Sequence, residues 1–94
     1  TLSSVKNKNM EIELSSRFKK SFRKLHPRIQ KKAVDRTSVF KFDSFNSKLG
    51  VHKLHGEKKE EWAFSVDYSY RISFIFLKNG KVIFTDIGTH DIYK

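Results

Sequence analysis

The sequence predicts an α+β fold in which two helices pack on one face of a four-stranded sheet. Three observations lead to this prediction: an alternating strand pattern from residue 10, two basic segments with helical periodicity, and three short apolar segments from residue 62 onward. The 94 residues suit one small domain. Residues 1–9 are polar and unpatterned, so we expect a flexible tail there and a single domain over residues 10–94.

The first strand comes directly before the first helix. Met10, Ile12 and Leu14 alternate with polar residues, which is the period of a half-buried strand. Ser15 or Ser16 can then cap a helix, because a serine oxygen accepts a hydrogen bond from an unpaired N–H of the first turn. The strand has to join the sheet formed later in the chain in order to bury its apolar side.

Two helices follow as a basic hairpin. Phe18, Phe22 and Leu25 recur at helical spacing with cations between them, and Pro27 fits the first turn of a second helix. His26 lies at the helix end before this proline, where we interpret it as an imidazolium that complements the helix dipole. The second helix has an inward stripe of Ile29, Ala33, Val34 and Phe40 or its neighbour Val39.

A three-stranded antiparallel meander completes the predicted fold. Residues 62–67, 70–77 and 81–87 are rich in aromatic and β-branched residues. Asn79-Gly80 favours a two-residue type I′ hairpin, which sets the register of the last two strands. In this register Lys78 faces Lys81, and one sheet face is apolar through the pairs Phe76–Ile83, Phe74–Thr85 and Ile72–Ile87.

The other face of this hairpin becomes polar toward the end away from the turn. The same register pairs Ile75 with Phe84, Ser73 with Asp86 and Arg71 with Gly88. His90 follows Gly88 by two residues and therefore falls on the same face. The sequence thus predicts that Arg71 and His90 lie close together.

The composition is strongly basic. Twenty Lys and Arg against ten Asp and Glu leave a formal charge of +10, which concentrates polyanions at the surface. Nucleic acid, a ribosome or an acidic protein fits this charge, and a solvated helical surface without a partner is the alternative. Nine of the cations lie within twenty residues that contain one acid: Arg17, Lys19, Lys20, Arg23, Lys24, Arg28, Lys31, Lys32 and Arg36.

Several classes of protein are excluded or disfavoured. The chain has no Cys, which excludes disulfides, thiolate zinc sites and thiol nucleophiles. It has no glycine-rich phosphate loop and no nucleophile elbow, so kinases, NTPases and serine hydrolases are disfavoured. His52 and His55 lack the helical spacing of a zinc motif, and we expect no metal and no cofactor. No apolar run reaches the length of a membrane span or a signal-peptide core, and we expect a cytoplasmic protein.

Three side chains can support RNA cleavage without a metal. The reaction needs a base for the 2′-hydroxyl proton, a cation for the charged phosphorane and an acid for the leaving 5′-oxygen. His90, Arg71 and His52 can fill these roles, and either histidine can be the acid, with His90 preferred. Arg71 interrupts an apolar strand, so its alternative is a structural ion pair with Asp67 or Asp86.

Three segments together resemble the RelE/ParE toxin superfamily. They contain the motif His-Lys-Leu-His-Gly within residues 49–56, the motif Tyr-Arg-Ile at the end of residues 62–72, and the motif Ile-Gly-Thr-His-Asp-Ile-Tyr within residues 86–93. The chain is most similar to the YafQ-like and RelE-like mRNA interferases of bacterial type II toxin–antitoxin systems. The resemblance covers residues 10–93.

The resemblance implies a ribosome-dependent endoribonuclease that cuts messenger RNA and leaves a cyclic phosphate or a 3′-phosphate. Its implied partners are a cognate antitoxin, which also represses the shared operon, and mRNA with rRNA on the ribosome. By position, His52 and His90 match catalytic or RNA-contacting histidines, and Arg71 matches the strand arginine of RelE-like members. The residues expected to contact RNA are Lys48, Lys53, His55 and Tyr93.

Other assignments stay open within this resemblance. Tyr93 can stack on a base, donate a proton or only cover the end of the sheet. Ser65 and Ser69 stand about where YafQ-like enzymes have a further histidine and an aspartate, so Arg71 and Lys53 acting by electrostatics alone is a third mechanism.

Two other functions share the fold or the charge. A ParE-like toxin inhibits DNA gyrase and needs no catalytic histidine, so His90 is the residue that discriminates between the two toxin types. A non-toxic RNA- or ribosome-binding module would bind in a salt-dependent way and cut nothing.

Overall fold

The computed structural model describes residues 10–56 and 60–89. The predicted tail at residues 1–9 lies outside these residues. In chain order the elements are β1 (Glu11–Leu14), α1 (Ser16–Arg23), α2 (Pro27–Phe42), a 3₁₀ helix (Ser47–Leu49), β2 (His52–Lys53), β3 (Trp62–Ser65), β4 (Arg71–Phe76) and β5 (Lys81–Gly88). Within the described residues, neither helix has the length and apolar character needed to cross a membrane.

The sheet has five strands in the order β1-β5-β4-β3-β2. The predicted α+β fold is confirmed, and β1 joins the sheet as expected by pairing in parallel with β5. The predicted number of four strands is too low by one. The additional strand, β2, consists of two residues that pair antiparallel with β3, and a strand this short leaves no alternating pattern in the sequence.

The first helix begins as the sequence predicts. Ser15 is its N-cap, and the Ser15 hydroxyl accepts a hydrogen bond from the Phe18 N–H at 3.0 Å. The same hydroxyl donates to the Thr85 carbonyl oxygen at 2.9 Å, which ties the start of α1 to β5. The serine therefore has two functions, one inside the helix and one across the fold.

The second helix begins at Pro27, also as predicted, but the interpretation of His26 is wrong. His26 is the N-cap of α2, and its Nδ1 accepts a hydrogen bond from the Arg28 N–H at 3.0 Å. An imidazolium has no acceptor nitrogen, so the capping ring carries no proton on Nδ1. The imidazole stabilises the beginning of α2 instead of the end of α1, which stops at Arg23.

The core lies between the two helices and one face of the sheet. Phe40 is fully buried and contacts three aromatic rings of the sheet, with centroid distances of 4.8 Å to Phe64, 4.8 Å to Phe74 and 5.8 Å to Phe84. Ile29 and Ala33 are buried as predicted. The prediction for Val34 is wrong: its side chain is 58% exposed, because it lies one residue round the helix from the buried stripe.

The hairpin of β4 and β5 follows the predicted register only at the end away from the turn. The confirmed pairs are Arg71 with Gly88, Ile72 with Ile87 and Ser73 with Asp86. Near the turn, the pairs are shifted by one residue and are Phe74 with Phe84, Ile75 with Ile83 and Phe76 with Val82. Phe84 and Val82 therefore face the core in place of Thr85 and Ile83.

A longer turn and a β-bulge explain this shift. The Leu77 N–H donates to the Lys81 carbonyl at 2.8 Å, so the loop contains Lys78 as well as Asn79 and Gly80. Asn79 and Gly80 both have positive φ, 61° and 75°, as the turn signal predicts. One extra residue in β5, at Thr85, then restores the predicted register toward Arg71.

Side-chain hydrogen bonds hold this bulge. The Thr85 hydroxyl donates to Glu61 Oε1 at 2.8 Å and lies 2.7 Å from the buried Ser73 hydroxyl. Glu61, the residue before β3, therefore reaches across β4 to β5. Because buried hydroxyls are costly without partners, this set of contacts favours the bulge over a regular strand.

Candidate active site

Arg71 and His52 lie on the same face of the sheet, opposite the helices. Paired residues of antiparallel strands point to the same face, and His52 pairs with Ala63, which in turn pairs with Ser73. Arg71 precedes Ser73 by two residues and shares its face. The two backbone positions are separated by roughly 10 Å across the sheet and roughly 7 Å along it, from ordinary strand spacing.

Arg71 is held by backbone carbonyl groups at the beginning of β4. One guanidinium nitrogen, Nη1, donates to the carbonyl oxygens of Asp67 at 3.0 Å, Tyr68 at 3.3 Å and Tyr70 at 3.3 Å. The side chain is half-buried. Since a guanidinium has five N–H donors, this anchor fixes one end of the fork and leaves the other nitrogens to face a ligand.

The turn before β4 supplies those carbonyl groups. The Asp67 carboxylate accepts hydrogen bonds from the Ser69 N–H at 2.9 Å and the Tyr70 N–H at 2.8 Å, which is the geometry of an Asx turn. The Val66 N–H closes the turn by donating to the Tyr70 carbonyl at 2.8 Å. The turn is thus fixed by its own hydrogen bonds, and Arg71 is positioned with it.

The alternative role of Arg71, a structural ion pair with Asp67 or Asp86, is not found among the described residues. Asp67 provides its carbonyl to Arg71, while its carboxylate is engaged in the turn. The Asp86 carboxylate accepts from the Ser21 hydroxyl at 2.7 Å and from the Ile87 N–H at 2.8 Å. Within residues 10–56 and 60–89, only Lys81 forms ion pairs, with the two glutamates of β1. Arg71 is therefore not neutralised by any described carboxylate.

A cleft of about 360 Å³ opens beside Arg71. The described residues that line it are Tyr68, Ser69, Arg71 and Thr89. The Tyr68 side chain is 96% exposed, although it belongs to a turn that is otherwise well ordered by hydrogen bonds. Tyr68 and Thr89 were not among the site residues predicted from the sequence, and Ser69 was noted only for its position in the resemblance. The available signal in the sequence was a second tyrosine, two residues before the Tyr-Arg-Ile motif.

His52 is exposed on β2, and its ring has a defined orientation. Nδ1 lies 3.0 Å from the Gly50 carbonyl oxygen, which can only accept, so Nδ1 is the donor in this contact. In the neutral ring the lone pair is then on Nε2. Gly50 adopts φ of +59°, a left-handed conformation that places its carbonyl toward the imidazole and that glycine adopts without strain.

The structure resembles known toxins closely in three dimensions. YafQ from E. coli strain BL21(DE3) superimposes with a TM-score of 0.73 at 16% identity, over 88% of this chain and 96% of that one. A YoeB/ParE toxin from Agrobacterium tumefaciens gives 0.73 at 14% identity, over 86% and 99%. The RelBE2 toxin–antitoxin complex from Mycobacterium tuberculosis gives 0.66 at 16% identity, over 87% and 99%. No protein-family model and no curated protein sequence matches the chain.

The chain has the RelE/YafQ-like toxin fold. The fold that this resemblance implies is thereby confirmed across most of the chain, at identities of 14% and 16%. Strand order and helix placement, rather than sequence, carry the similarity.

Two of the site residues predicted from the sequence, His90 and Tyr93, lie outside the described residues. The predicted convergence of His90 with Arg71 therefore stays a prediction. The strand register on which this prediction depends is confirmed, because Arg71 pairs with Gly88 at the end of β5. Thr89, the last described residue before His90, lines the cleft together with Arg71.

The three other residues predicted to contact RNA do not line the cleft at Arg71. Lys53 is the neighbour of His52 in β2 and faces the opposite side of the sheet, where its Nζ lies 5.9 Å from the centroid of the Trp62 ring. Lys48 is exposed on the 3₁₀ helix, and His55 is exposed after the buried Leu54. The structure thus groups His52 with Arg71 and places Lys53 elsewhere.

The basic residues of the helical hairpin are exposed as predicted. Eight of the nine cations between residues 17 and 36 are exposed, and the ninth, Arg36, is half-buried with its Nε donating to the Val66 carbonyl at 3.3 Å. None of them forms an ion pair within residues 10–56 and 60–89, so the helical hairpin has a strongly positive surface.

Proposed function

We propose that this protein is the toxin of a type II toxin–antitoxin pair and that it cleaves mRNA on the ribosome by metal-independent acid–base chemistry. The observation that carries the proposal is the state of Arg71. Its guanidinium is fixed by three backbone carbonyls, opens onto a cleft and has no described carboxylate partner. The toxin fold and the positive surface support the same conclusion.

A fixed and uncompensated guanidinium suits a phosphate whose charge rises during reaction. Holding a half-buried cation without a counter-ion costs free energy, and an incoming phosphodiester would supply the missing anion. The cation then stabilises the phosphorane more than the ground state, because the additional charge develops on its equatorial oxygens. Arg71 would therefore bind the scissile phosphate.

The two histidines complete the reaction scheme. A base removes the 2′-hydroxyl proton, and the 2′-oxygen forms a bond to the adjacent phosphorus while the bond from phosphorus to the 5′-oxygen breaks. An acid gives its proton to that leaving oxygen, so a 2′,3′-cyclic phosphate and a free 5′-hydroxyl result. His52 fits the base, since its Nδ1–H is bound to Gly50 and Nε2 has the lone pair. His90 would then be the acid, and the reverse assignment predicts the same products.

The proposed partners match two surfaces of the fold. The positive surface of the hairpin would contact rRNA through phosphates. An apolar groove of about 450 Å³ between β1 and the two helices, whose walls include Ile12, Leu14 and Val34, would accept an apolar segment of an acidic antitoxin. A solved structure with the same fold, RelBE2, is a toxin–antitoxin complex.

The deciding experiment is mRNA cleavage in a purified translation reaction. The wild-type protein is expected to cut ribosome-bound message at codon-spaced positions, and His90→Ala or His52→Ala is expected to reduce the rate by about 10²–10⁴, the usual contribution of general acid–base catalysis. His26→Asn is the matched control, because it removes a histidine but keeps an N-cap acceptor for α2. Absence of cutting by the wild-type protein, where a known interferase cuts, would reject the proposal.

A gyrase assay separates the alternative toxin type. The ParE-like function is favoured by one structural relative that is itself named as a YoeB/ParE toxin. Inhibition of DNA supercoiling by the wild-type protein and by His90→Ala with equal potency would replace the ribonuclease proposal with that function. RNA binding that falls with salt, without cleavage or gyrase inhibition, would indicate a binding module.

A further inference from the structure

Three aromatic side chains meet at the end of the sheet that is remote from Arg71. Phe45 comes from the connection after α2, Trp62 begins β3 and Phe76 ends β4. Their ring centroids are 5.9 Å apart for Phe45 and Trp62, 6.1 Å for Phe45 and Phe76, and 5.5 Å for Trp62 and Phe76. We call these three residues the aromatic patch.

The aromatic patch is open to solvent on a rigid base. Phe45 is 62% exposed and Phe76 is 39% exposed, while Phe76 packs edge-on against the fully buried Phe74 at 5.2 Å. Exposed apolar area costs about 25 cal/mol per Å², so a cluster of rings left in water is a feature that usually marks a binding surface. The contact with the core fixes the orientation of the rings before any ligand arrives.

A cation without a counter-ion borders the aromatic patch. Lys53 lies over the Trp62 ring, with Nζ 5.9 Å from the centroid, and it forms no ion pair within residues 10–56 and 60–89. Two acids close to the patch in sequence have partners elsewhere: the Asp43 carboxylate accepts from the Asn46 side chain at 3.3 Å, and the Glu61 carboxylate accepts from the Thr85 hydroxyl at 2.8 Å. The patch thus offers ring faces together with one available positive charge.

These properties favour one kind of ligand over two others. A second copy of the chain would bring another formal charge of +10 to the same place, which opposes self-association. A helical protein segment is better served by the groove between β1 and the helices, which is apolar and has a volume of about 450 Å³. Single-stranded RNA presents a π-face on every base and a negative charge on every phosphate, and it matches both parts of the patch.

We propose that the aromatic patch is a second binding site for single-stranded RNA, distinct from the cleft at Arg71. Bases stack on Phe45 and Trp62, and Lys53 contacts a neighbouring phosphate. Arg71 and Phe76 are the first and last residues of β4, about 17 Å apart at ~3.3 Å per residue, and they face opposite sides of the sheet. The choice of RNA as ligand rests on the proposed function, whereas the binding itself requires no cleavage.

Trp62 is the only tryptophan of the chain, so its fluorescence reports on the patch directly. The probe is a short 2′-O-methyl oligouridine, which has bases and phosphates but no 2′-hydroxyl to be cleaved. Titration of the full chain is expected to give a saturable change in Trp62 fluorescence. Phe45→Ala is expected to raise the Kd about tenfold, in line with the loss of one stacking partner. Lys53→Gln is expected to lower the slope of log K against log salt by about one.

Controls distinguish stacking from general charge. Phe42→Ala removes a phenylalanine outside the patch that is more exposed than Phe45, 72% at the end of α2, and is expected to leave the Kd unchanged. Phe45→Leu keeps apolar cover without a π-face and is expected to behave like Phe45→Ala. Thermal unfolding confirms that each variant is folded. Inorganic polyphosphate, which has no bases, is expected to bind the wild-type protein and Phe45→Ala equally.

Four outcomes would overturn this inference. The first is equal oligouridine affinity for the wild-type protein, Phe45→Ala and Phe45→Leu. The second is a fluorescence change on dilution of the protein alone, accompanied by a dimer in sedimentation, which would assign the patch to a second copy. The third is a Phe45-dependent response to an acidic peptide but not to oligouridine. The fourth is an absence of any saturable response.

The same measurement separates this inference from the proposed function. Arg71→Gln is expected to keep the Phe45-dependent change in Trp62 fluorescence while losing cleavage. Phe45-dependent binding by a protein that never cuts mRNA would retain the second site and reject the ribonuclease. Cleavage of mRNA by the wild-type protein, together with oligouridine binding that does not depend on Phe45, would retain the ribonuclease and reject the second site.

Discussion

Each end of β4 lies near a cation that is beside an aromatic ring, but the cation is held differently at the two ends. At the beginning of the strand, Arg71 is bound to three backbone carbonyls next to the exposed ring of Tyr68. Near the end of the strand, Trp62 of β3 contacts Phe76, and Lys53 of β2 lies over the Trp62 ring without a directional hydrogen bond in this contact. The planar guanidinium of Arg71 is thus fixed, whereas the ammonium of Lys53 stays flexible above an aromatic ring.

This difference matches the two proposals: catalysis at the beginning of β4, and binding of an RNA strand near its end. A fixed fork can match two oxygens of one phosphate in one geometry, which stabilisation of a transition state requires. A mobile lysine beside stacked rings tolerates many positions of a strand and any base sequence. The backbone turn before β4, more than the charge itself, therefore distinguishes the candidate active site.

The largest expected effect comes from a change in the core, which supports both ends of β4. Phe40→Ala deletes the ring that packs on Phe64, Phe74 and Phe84, and we expect it to lower the free energy of unfolding by about 3–5 kcal/mol. Denaturant unfolding followed by circular dichroism measures this loss. Phe42→Ala, two residues later and exposed, is expected to stay within about 0.5 kcal/mol of the wild type. Equal losses in the two variants would contradict the assignment of the core.

The next effect tests the fixed fork against the flexible ammonium by exchanging them. Arg71→Lys keeps the charge but cannot donate to three carbonyls and a phosphate together, so we expect mRNA cleavage to fall by about 10²–10³. Lys53→Arg is expected to leave cleavage unchanged and to bind oligouridine at least as tightly as the wild type. Full cleavage by Arg71→Lys would mean that charge alone is sufficient at the beginning of β4.

The smallest effect concerns the exposed ring at the cleft. Tyr68→Ala is expected to raise the apparent KM for mRNA-programmed ribosomes several-fold to tenfold, because the ring can stack on a base that flanks the scissile phosphate. Tyr68→Phe is expected to restore the KM, since stacking needs the ring and not the hydroxyl. A loss in thermal stability of Tyr68→Ala would instead indicate a structural ring, which its exposure of 96% argues against.

Much of this architecture follows from local signals in the sequence. Ser15 and Pro27 give the helix starts because capping and proline geometry act over a single turn. Arg71 is correctly paired with Gly88, although the assumed two-residue turn was one residue too short. The bulge at Thr85 compensates for that error, and it depends on Glu61 and Ser73, which no local pattern connects to it.

The candidate site was only partly predictable for a related reason. His52 and Lys53 lie on opposite sides of the sheet because consecutive residues of a strand alternate, and this was not predicted because β2 has only two residues. Tyr68 was missed because an exposed aromatic in a turn carries no periodicity. The sequence therefore indicates which residue types are present near the site more reliably than it indicates which face they share.

The bulge at Thr85 also makes the two ends of the last hairpin independent of each other. A change in the length of the turn around Asn79 would shift the pairs near it, and the extra residue is the place where such a shift is absorbed before it reaches Gly88. The turn can therefore vary between related chains, or accept a label or an insertion, while the cleft keeps its shape. Turns of different length are tolerable in this fold wherever a bulge of this kind follows them.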